Sequence, residues 1–304
     1  MSSSQLNNQD EWNQLEELNT RYRRYPGDDL ANDLAQLRYR IGARMCQESP
    51  VGEPQAFDTP MDLFPDCSGL PEISAEKLNA STLAAGIHHH GALLVRSLFS
   101  EQQVQRLLSR KRTEASSAPD SGLPLGCTPA ELFDLLDIYQ QSGLLDVFRT
   151  YLSDEPVLFG ERAKLRQHQS KRDRSAVITW HQDAAFFGTG CQGVNCWAGI
   201  TACGLDNPGL ALIPRRFDEL LCWKGDELAP LDYGKRMPEG LIEKLSQGHP
   251  AQFPLLQPGD SLLFDTMTLH STAVRPWNIT EQIVAISWFF RASAFPDWGT
   301  PLAV

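Results

Sequence analysis

Ser175-Ala-Val-Ile-Thr-Trp-His-Gln-Asp-Ala-Ala-Phe-Phe187 reads as a strand that ends in a pair of potential metal ligands. Residues 176–180 are β-branched, aromatic or small, the composition of a strand. On a strand, residues i and i+2 share a face, so the His181 imidazole and the Asp183 carboxylate converge. A second stretch, Pro258-Gly-Asp-Ser-Leu-Leu-Phe-Asp-Thr-Met-Thr-Leu-His270, is a turn followed by an apolar strand ending in histidine. His181, Asp183 and His270 together would form a 2-His-1-carboxylate triad. Such a triad leaves adjacent coordination positions open, as non-haem Fe(II) oxygenases require. A His-x-Asp triplet alone describes many surface pairs equally well. The strand before it and the second turn-strand-His unit give it weight.

Around these two stretches the chain predicts helices first and strands later. Residues 1–10 are polar and predict disorder. A short helix fits residues 12–25. Asp28 and Asp29 can cap a second, whose Leu30, Leu34, Leu37, Ile41 and Met45 recur at helical spacing. Residues 1–50 therefore read as a helical extension packed on a main domain spanning 51–304. Residues 48–75, rich in Pro, Gly, Asp and Ser, predict an irregular connector. A helix over 75–86 leads to His88, His89 and His90, read as a polar loop, because adjacent histidines diverge and make a poor cage for one metal. Residues 91–98 predict a strand. Ser100–Gln103 and Thr128–Glu131 are capping boxes, the latter with Pro at the first helical position. Leu132, Leu135, Leu136 and Tyr139 share a face behind it, and residues 144–152 predict a further helix.

Strands are predicted at 162–166, where Lys164 and Arg166 share a face, and at 195–202, 210–214 and 282–290. Residues 167–174 read as a basic loop. Residues 217–250 read as an insertion containing Trp223, Tyr233 and a short helix near 239–246. Helices followed by many short strands fit an all-β core with helices, of α+β class. The matching architecture is a double-stranded β-helix, a cupin-like jelly-roll, buttressed by N-terminal helices.

Composition narrows the function. A net charge of -11 argues against broad binding of nucleic acid or anionic membranes, and says little about a small substrate held in a pocket. Seven scattered cysteines without a Cys-x-x-Cys pair argue against a disulfide framework or a structural zinc site, and point to reduced thiols in the cytoplasm. The N-terminus shows neither a basic nor an apolar secretory region, and no apolar run is long enough for a bilayer. The oligomeric state is not readable.

At residues 90–291 the sequence resembles the phytanoyl-CoA dioxygenase family of Fe(II)- and 2-oxoglutarate-dependent oxygenases. Gly91-Ala-Leu-Leu-Val-Arg-Ser-Leu-Phe-Ser-Glu101 resembles the opening strand and helix start, and Trp180-His-Gln-Asp183 the proximal metal motif. Asn195-Cys-Trp-Ala-Gly-Ile-Thr201 and Asn207-Pro-Gly-Leu-Ala-Leu-Ile-Pro214 resemble its central strands. Residues 257–265 with His270-Ser-Thr272 resemble its distal motif. The resemblance implies Fe(II) on His181, Asp183 and His270, with 2-oxoglutarate and O2 in the open positions and succinate and CO2 released. It implies hydroxylation of a small organic molecule. Halogenating relatives replace the carboxylate ligand with a small residue, and here Asp183 is present.

The resemblance also implies co-substrate contacts from Gln182, Trp197 and Thr272. Trp197 reads equally as a core aromatic. Family members carry an arginine at the start of the last strand, able to form a bidentate pair with the far carboxylate of 2-oxoglutarate. This chain has Glu281 and Gln282 there. Arg275, with Gln282 as a neutral donor, is one replacement; Lys164 or Arg166 on a neighbouring strand is another. A third reading is an Fe(II) oxygenase with a different co-substrate, or a non-catalytic metal-binding jelly-roll. Where the family often has Pro-Gly-Ser-His, this chain has Pro214-Arg-Arg-Phe217, which reads as a solvated basic turn or as a contact for an anionic substrate. Phe186, Phe187, Trp223 and Trp277 could line an apolar pocket or serve in packing.

Overall fold

The structure, a computed structural model, describes residues 3–49, 60–113, 122–169, 180–204, 206–221, 239–246, 248–273 and 281–304. Helices α1 (Ser3–Arg24), α2 (Asp28–Glu48), α3 (Ala80–His90), α4 (Glu101–Thr113), α5 (Pro129–Gln141) and α6 (Leu144–Leu152) precede most of the sheet. Short helices α7 (Ala184–Phe187) and α8 (Glu239–Leu245) lie within it in sequence. The strands are β1 (Glu72–Ser74), β2 (Leu93–Arg96), β3 (Pro156–Phe159), β4 (Lys164–Gln169), β5 (Gly193–Gly199), β6 (Gly209–Arg216), β7 (Ser261–Asp265), β8 (Thr268–Ala273), β9 (Glu281–Arg291) and β10 (Pro301–Ala303).

The large sheet runs β1-β2-β7-β5-β9-β3-β10, with β4 also paired to β9. Strands β6 and β8 form a separate antiparallel pair. The period-2 alternation of β5 and β9 explains how one sheet serves two cores. Cys196, Ala285 and Phe289 face a helical layer carrying Leu83, Leu135, Tyr139 and Phe148. Their neighbours Trp197, Ile286 and Trp288 face the opposite way, into a core shared with Leu210 and Leu212 of β6. Both faces of β9 are therefore covered, which is why its sequence is almost continuously apolar. Ser287 interrupts the run because its hydroxyl accepts a hydrogen bond from the buried Tyr139 hydroxyl at 2.8 Å, tying helices to sheet.

Both capping boxes form: Ser100 with Gln103, and Thr128 with Glu131. Several expectations are corrected. Helix α1 begins at Ser3, inside the segment read as disordered. Gly27 is the N-cap of α2, and Asp28 and Asp29 instead occupy its first turn, where carboxylates favour the helix dipole. The three histidines are the last turn of α3, closed by Gly91 at φ 75°. His89 and His90 diverge, toward the carbonyls of Pro60 and Gly69 respectively. The residues read as a basic loop after 166 begin as strand, because β4 keeps its pairing with β9 to Gln169. The apolar strand ending at His270 is two strands in different sheets. The predicted strand over 176–180 lies outside the described residues but for Trp180, a bend.

Helix α2 docks on the C-terminal strand: Arg38 donates to the Ala303 carbonyl at 2.8 Å, and α1 packs through Leu15 and Tyr22 onto α2 and α5. No helix among the described residues is long and apolar enough to cross a membrane.

Gly42 tests this docking. A Cβ there would sit 2.5 Å from the Pro301 carbonyl oxygen. Gly→Ala inside an exposed helix normally stabilises by about 1 kcal/mol. Gly42→Ala should instead destabilise by about 1–3 kcal/mol through overpacking, read as a lower midpoint in chemical denaturation.

Candidate metal site

The site is built on the turn between β7 and β8. Asp265 makes an Asx-turn: its Oδ1 accepts the Met267 N–H at 2.9 Å and the Thr268 hydroxyl at 3.3 Å. Its Oδ2 accepts from Arg216 Nε at 2.6 Å. This turn ends β7 in the large sheet and starts β8 beside β6 in the small one. His270 then lies opposite His181, and the two exchange backbone hydrogen bonds of 2.9 and 3.0 Å.

The same turn fixes the rest of the proximal motif. The Thr266 carbonyl accepts the Ala184 N–H at 2.9 Å, at the start of α7. Asp183 is the N-cap of that helix, with φ -66° and ψ -21°, and so is not on a strand as its spacing suggested. Its side chain still meets His181. Nε2 of His181 lies 3.5 Å from Asp183 Oδ1, and Nε2 of His270 lies 3.4 Å from Oδ2. One ligand atom from each residue lies within 4.8 Å of the other two.

The protonation states suit a cation. Nδ1 of His270 is 2.9 Å from the Thr268 carbonyl, which accepts its N–H and leaves the Nε2 lone pair toward Asp183. Burial, then the charge of His181, pushes the His270 pKa down to about 4. Burial alone would raise Asp183, but His270 and His181 outweigh it and hold the carboxylate below its ordinary range. Two imidazoles and one carboxylate fit Fe(II) better than the thiolate-rich set of a structural zinc site.

A pocket opens beside the triad. Its walls include Arg162, Lys164, Phe186, Asn195, Trp197, Thr272 and Trp288. Asn195 is 3% exposed, and its Oδ1 has no hydrogen-bond partner among the described residues. A buried acceptor left this way fits a pocket that receives a polar ligand.

Three of the expected co-substrate residues, Trp197, Thr272 and Lys164, line this pocket; Phe186 and Phe187 do too. Gln182 points away. Its amide donates to the carbonyls of Glu219 and Met267 and accepts the Leu221 N–H. Gln282 is buried elsewhere and donates to the Pro208 carbonyl at 2.6 Å. Arg275, Trp223 and Trp277 lie outside the described residues. The segment read as a basic turn finishes β6: Arg216 pairs with Asp265, and Arg215 stacks over the Phe217 ring. The sequence reading missed Asn195 and Trp288. Asn195 lies two residues before Trp197 on β5 and could have been found from that period; Trp288 lies opposite Asn195, a pairing that the sequence alone does not show.

No protein-family model matches the chain, and no curated protein matches its sequence. Solved structures match in fold. EctD from S. alaskensis with bound Fe superposes with a TM-score of 0.56 at 17% identity, over 81% of this chain and 88% of that one. The same protein with 2-oxoglutarate and 5-hydroxyectoine gives 0.54 at 16%, over 81% and 82%. The epimerase SnoN in complex with Fe3+, alpha ketoglutarate and nogalamycin RO gives 0.52 at 17%, over 70% and 83%.

Asp265 supports the ligands without touching them, so its loss should loosen metal binding. Asp265→Ala should lower Fe(II) affinity by roughly 10-fold or more in anaerobic chelator competition. Asp265→Asn, which keeps an acceptor for Met267, should retain most of the affinity.

Proposed function

We propose that the protein is an Fe(II)- and 2-oxoglutarate-dependent dioxygenase that hydroxylates a small organic molecule. The observation that carries this reading is the convergence of His181, Asp183 and His270 in the lining of a pocket whose walls also carry Arg162, Lys164 and Arg166. The fold shared with proteins solved in complex with iron and 2-oxoglutarate supports it. We read the large and small sheets, which share one core around the site, as the halves of a double-stranded β-helix of the phytanoyl-CoA dioxygenase type.

The protein's part follows from the geometry. His181, Asp183 and His270 would hold the ferrous ion on one side only. Ferrous iron held so, chelated by a 2-oxo acid, supplies O2 activation with release of succinate and CO2. The Thr268 carbonyl keeps the proton of His270 on Nδ1, so Nε2 remains a ligand. Asp183 fills the position that must be small for a halide, which favours hydroxylation. Phe186, Phe187, Phe264 and Trp288 wall the pocket with apolar surface that excludes water and positions a substrate C–H bond. The described cysteines are all free, which accords with a cytoplasmic setting.

The test is anaerobic addition of 2-oxoglutarate to the Fe(II)-loaded protein, watching for the visible metal-to-ligand charge-transfer band, followed by air and succinate assay. Wild type should give both. Asp183→Ala should lose the band or weaken it at least 10-fold, with no succinate above background. Iron bound at the triad with neither band nor succinate would leave a different co-substrate or a non-catalytic metal protein.

A further inference from the structure

We infer that the Lys164 ammonium binds the far carboxylate of 2-oxoglutarate, replacing from β4 an arginine that this chain lacks at the start of β9. The inference rests on the functional reading above and names the residue that selects the co-substrate.

Sheet register gives the first argument. Strand β9 pairs with β4 on one side and β5 on the other, so Lys164, Ile286 and Trp197 form one row across the sheet. The adjacent row holds Trp288, Asn195 and Phe264. Phe264 packs on His270 with ring centroids 4.8 Å apart, so that row is level with the metal ligands. Lys164 lies one two-residue step along, about 7 Å of strand. On the opposing wall Thr272 follows His270 by the same step on β8, and both residues line the pocket. A five-carbon diacid chelating at one end has a length of this order. Arg166 lies a further step away, opposite Val284. Arg162 lies at the metal end, where its charge acts on Asp183.

Charge gives the second argument. Lys164 is partly buried, and its ammonium has no hydrogen bond or ion pair among the described residues. Burial, then Arg162 and Arg166, push its pKa down. A sequestered cation without a counter-charge is costly to keep, and an arriving carboxylate relieves that cost. The other groups near the start of β9 do not compete: Gln282 is committed to Pro208, and Arg291, at the far end, bonds Gln192. An ammonium is a point charge without a guanidinium fork, so the Thr272 hydroxyl can serve the second carboxylate oxygen.

The experiment compares two 2-oxo acids by anaerobic titration of the Fe(II) protein, read by the charge-transfer band and by calorimetry. These are 2-oxoglutarate and 2-oxopentanoate, which keeps the chelating end and lacks the far carboxylate. Wild type should prefer 2-oxoglutarate by roughly 10- to 100-fold. Lys164→Met should lose most of that preference through weaker 2-oxoglutarate binding, leaving 2-oxopentanoate affinity within about 3-fold of wild type; Lys164→Arg should restore part of it. The inference is overturned if Lys164→Met, folded and iron-loaded, keeps the full preference, or if Arg166→Met alone abolishes it. A wild-type protein that binds iron but gives no band with either acid would overturn the functional reading itself, and the role of Lys164 with it.

Discussion

The β7–β8 turn is the constraint on which the site depends. One carboxylate, Asp265, closes it with Oδ1 and anchors it to Arg216 with Oδ2. Every candidate ligand is then referred to that turn. His270 follows it in the chain and donates its Nδ1–H to the Thr268 carbonyl. Asp183 precedes Ala184, whose N–H is taken by Thr266, and Gln182 between the ligands bonds Met267. His181 is held by reciprocal backbone bonds to His270. Three candidate ligands from two distant stretches are thus positioned by one local structure. The Thr268 hydroxyl ties the turn in addition to the Gly91 carbonyl at 2.6 Å, where α3 ends. The helical layer and the metal site are therefore mechanically connected.

Much of this was legible in the sequence because it depends on local rules. Capping boxes at Ser100 and Thr128 satisfy orphan N–H groups with residues three apart, and both formed. The spacing of Leu34, Leu37 and Ile41 marked the buried face of α2, and His181, Asp183 and His270 came together as their motif context suggested. What escaped depends on pairing at a distance. Alternation alone could not show that residues 258–270 divide between two sheets, because an Asx-turn within an apolar run leaves the run apolar. Nor could it show that residues 167–169 extend β4, since a polar edge strand reads as loop until its partner is known. Gln182 and Gln282 were judged by motif position. Their amides are used up by nearby backbone groups, which only the folded chain reveals.

Electrostatics divides the pocket into two ends. At the metal end Asp183 is kept ionised by two imidazoles, and Arg162 stands near it. Along β4 the charge is cationic, and Phe186, Phe187, Phe264 and Trp288 present rings to the same pocket. A ligand with one chelating anionic end, one free anionic end and an adjacent apolar partner matches that distribution. The large sheet makes it possible by burying both its faces. The helices take one face, so the other is free to enclose a site against the small sheet.

The central claim is that His181, Asp183 and His270 bind one ferrous ion together. Anomalous scattering at the iron edge from crystals grown with Fe(II) under anaerobic conditions tests it most directly. The account predicts one strong peak bonded to Nε2 of His181, Nε2 of His270 and a carboxylate oxygen of Asp183, with the remaining coordination positions facing the pocket. A peak elsewhere, or none at the triad while iron is bound in solution, would contradict it.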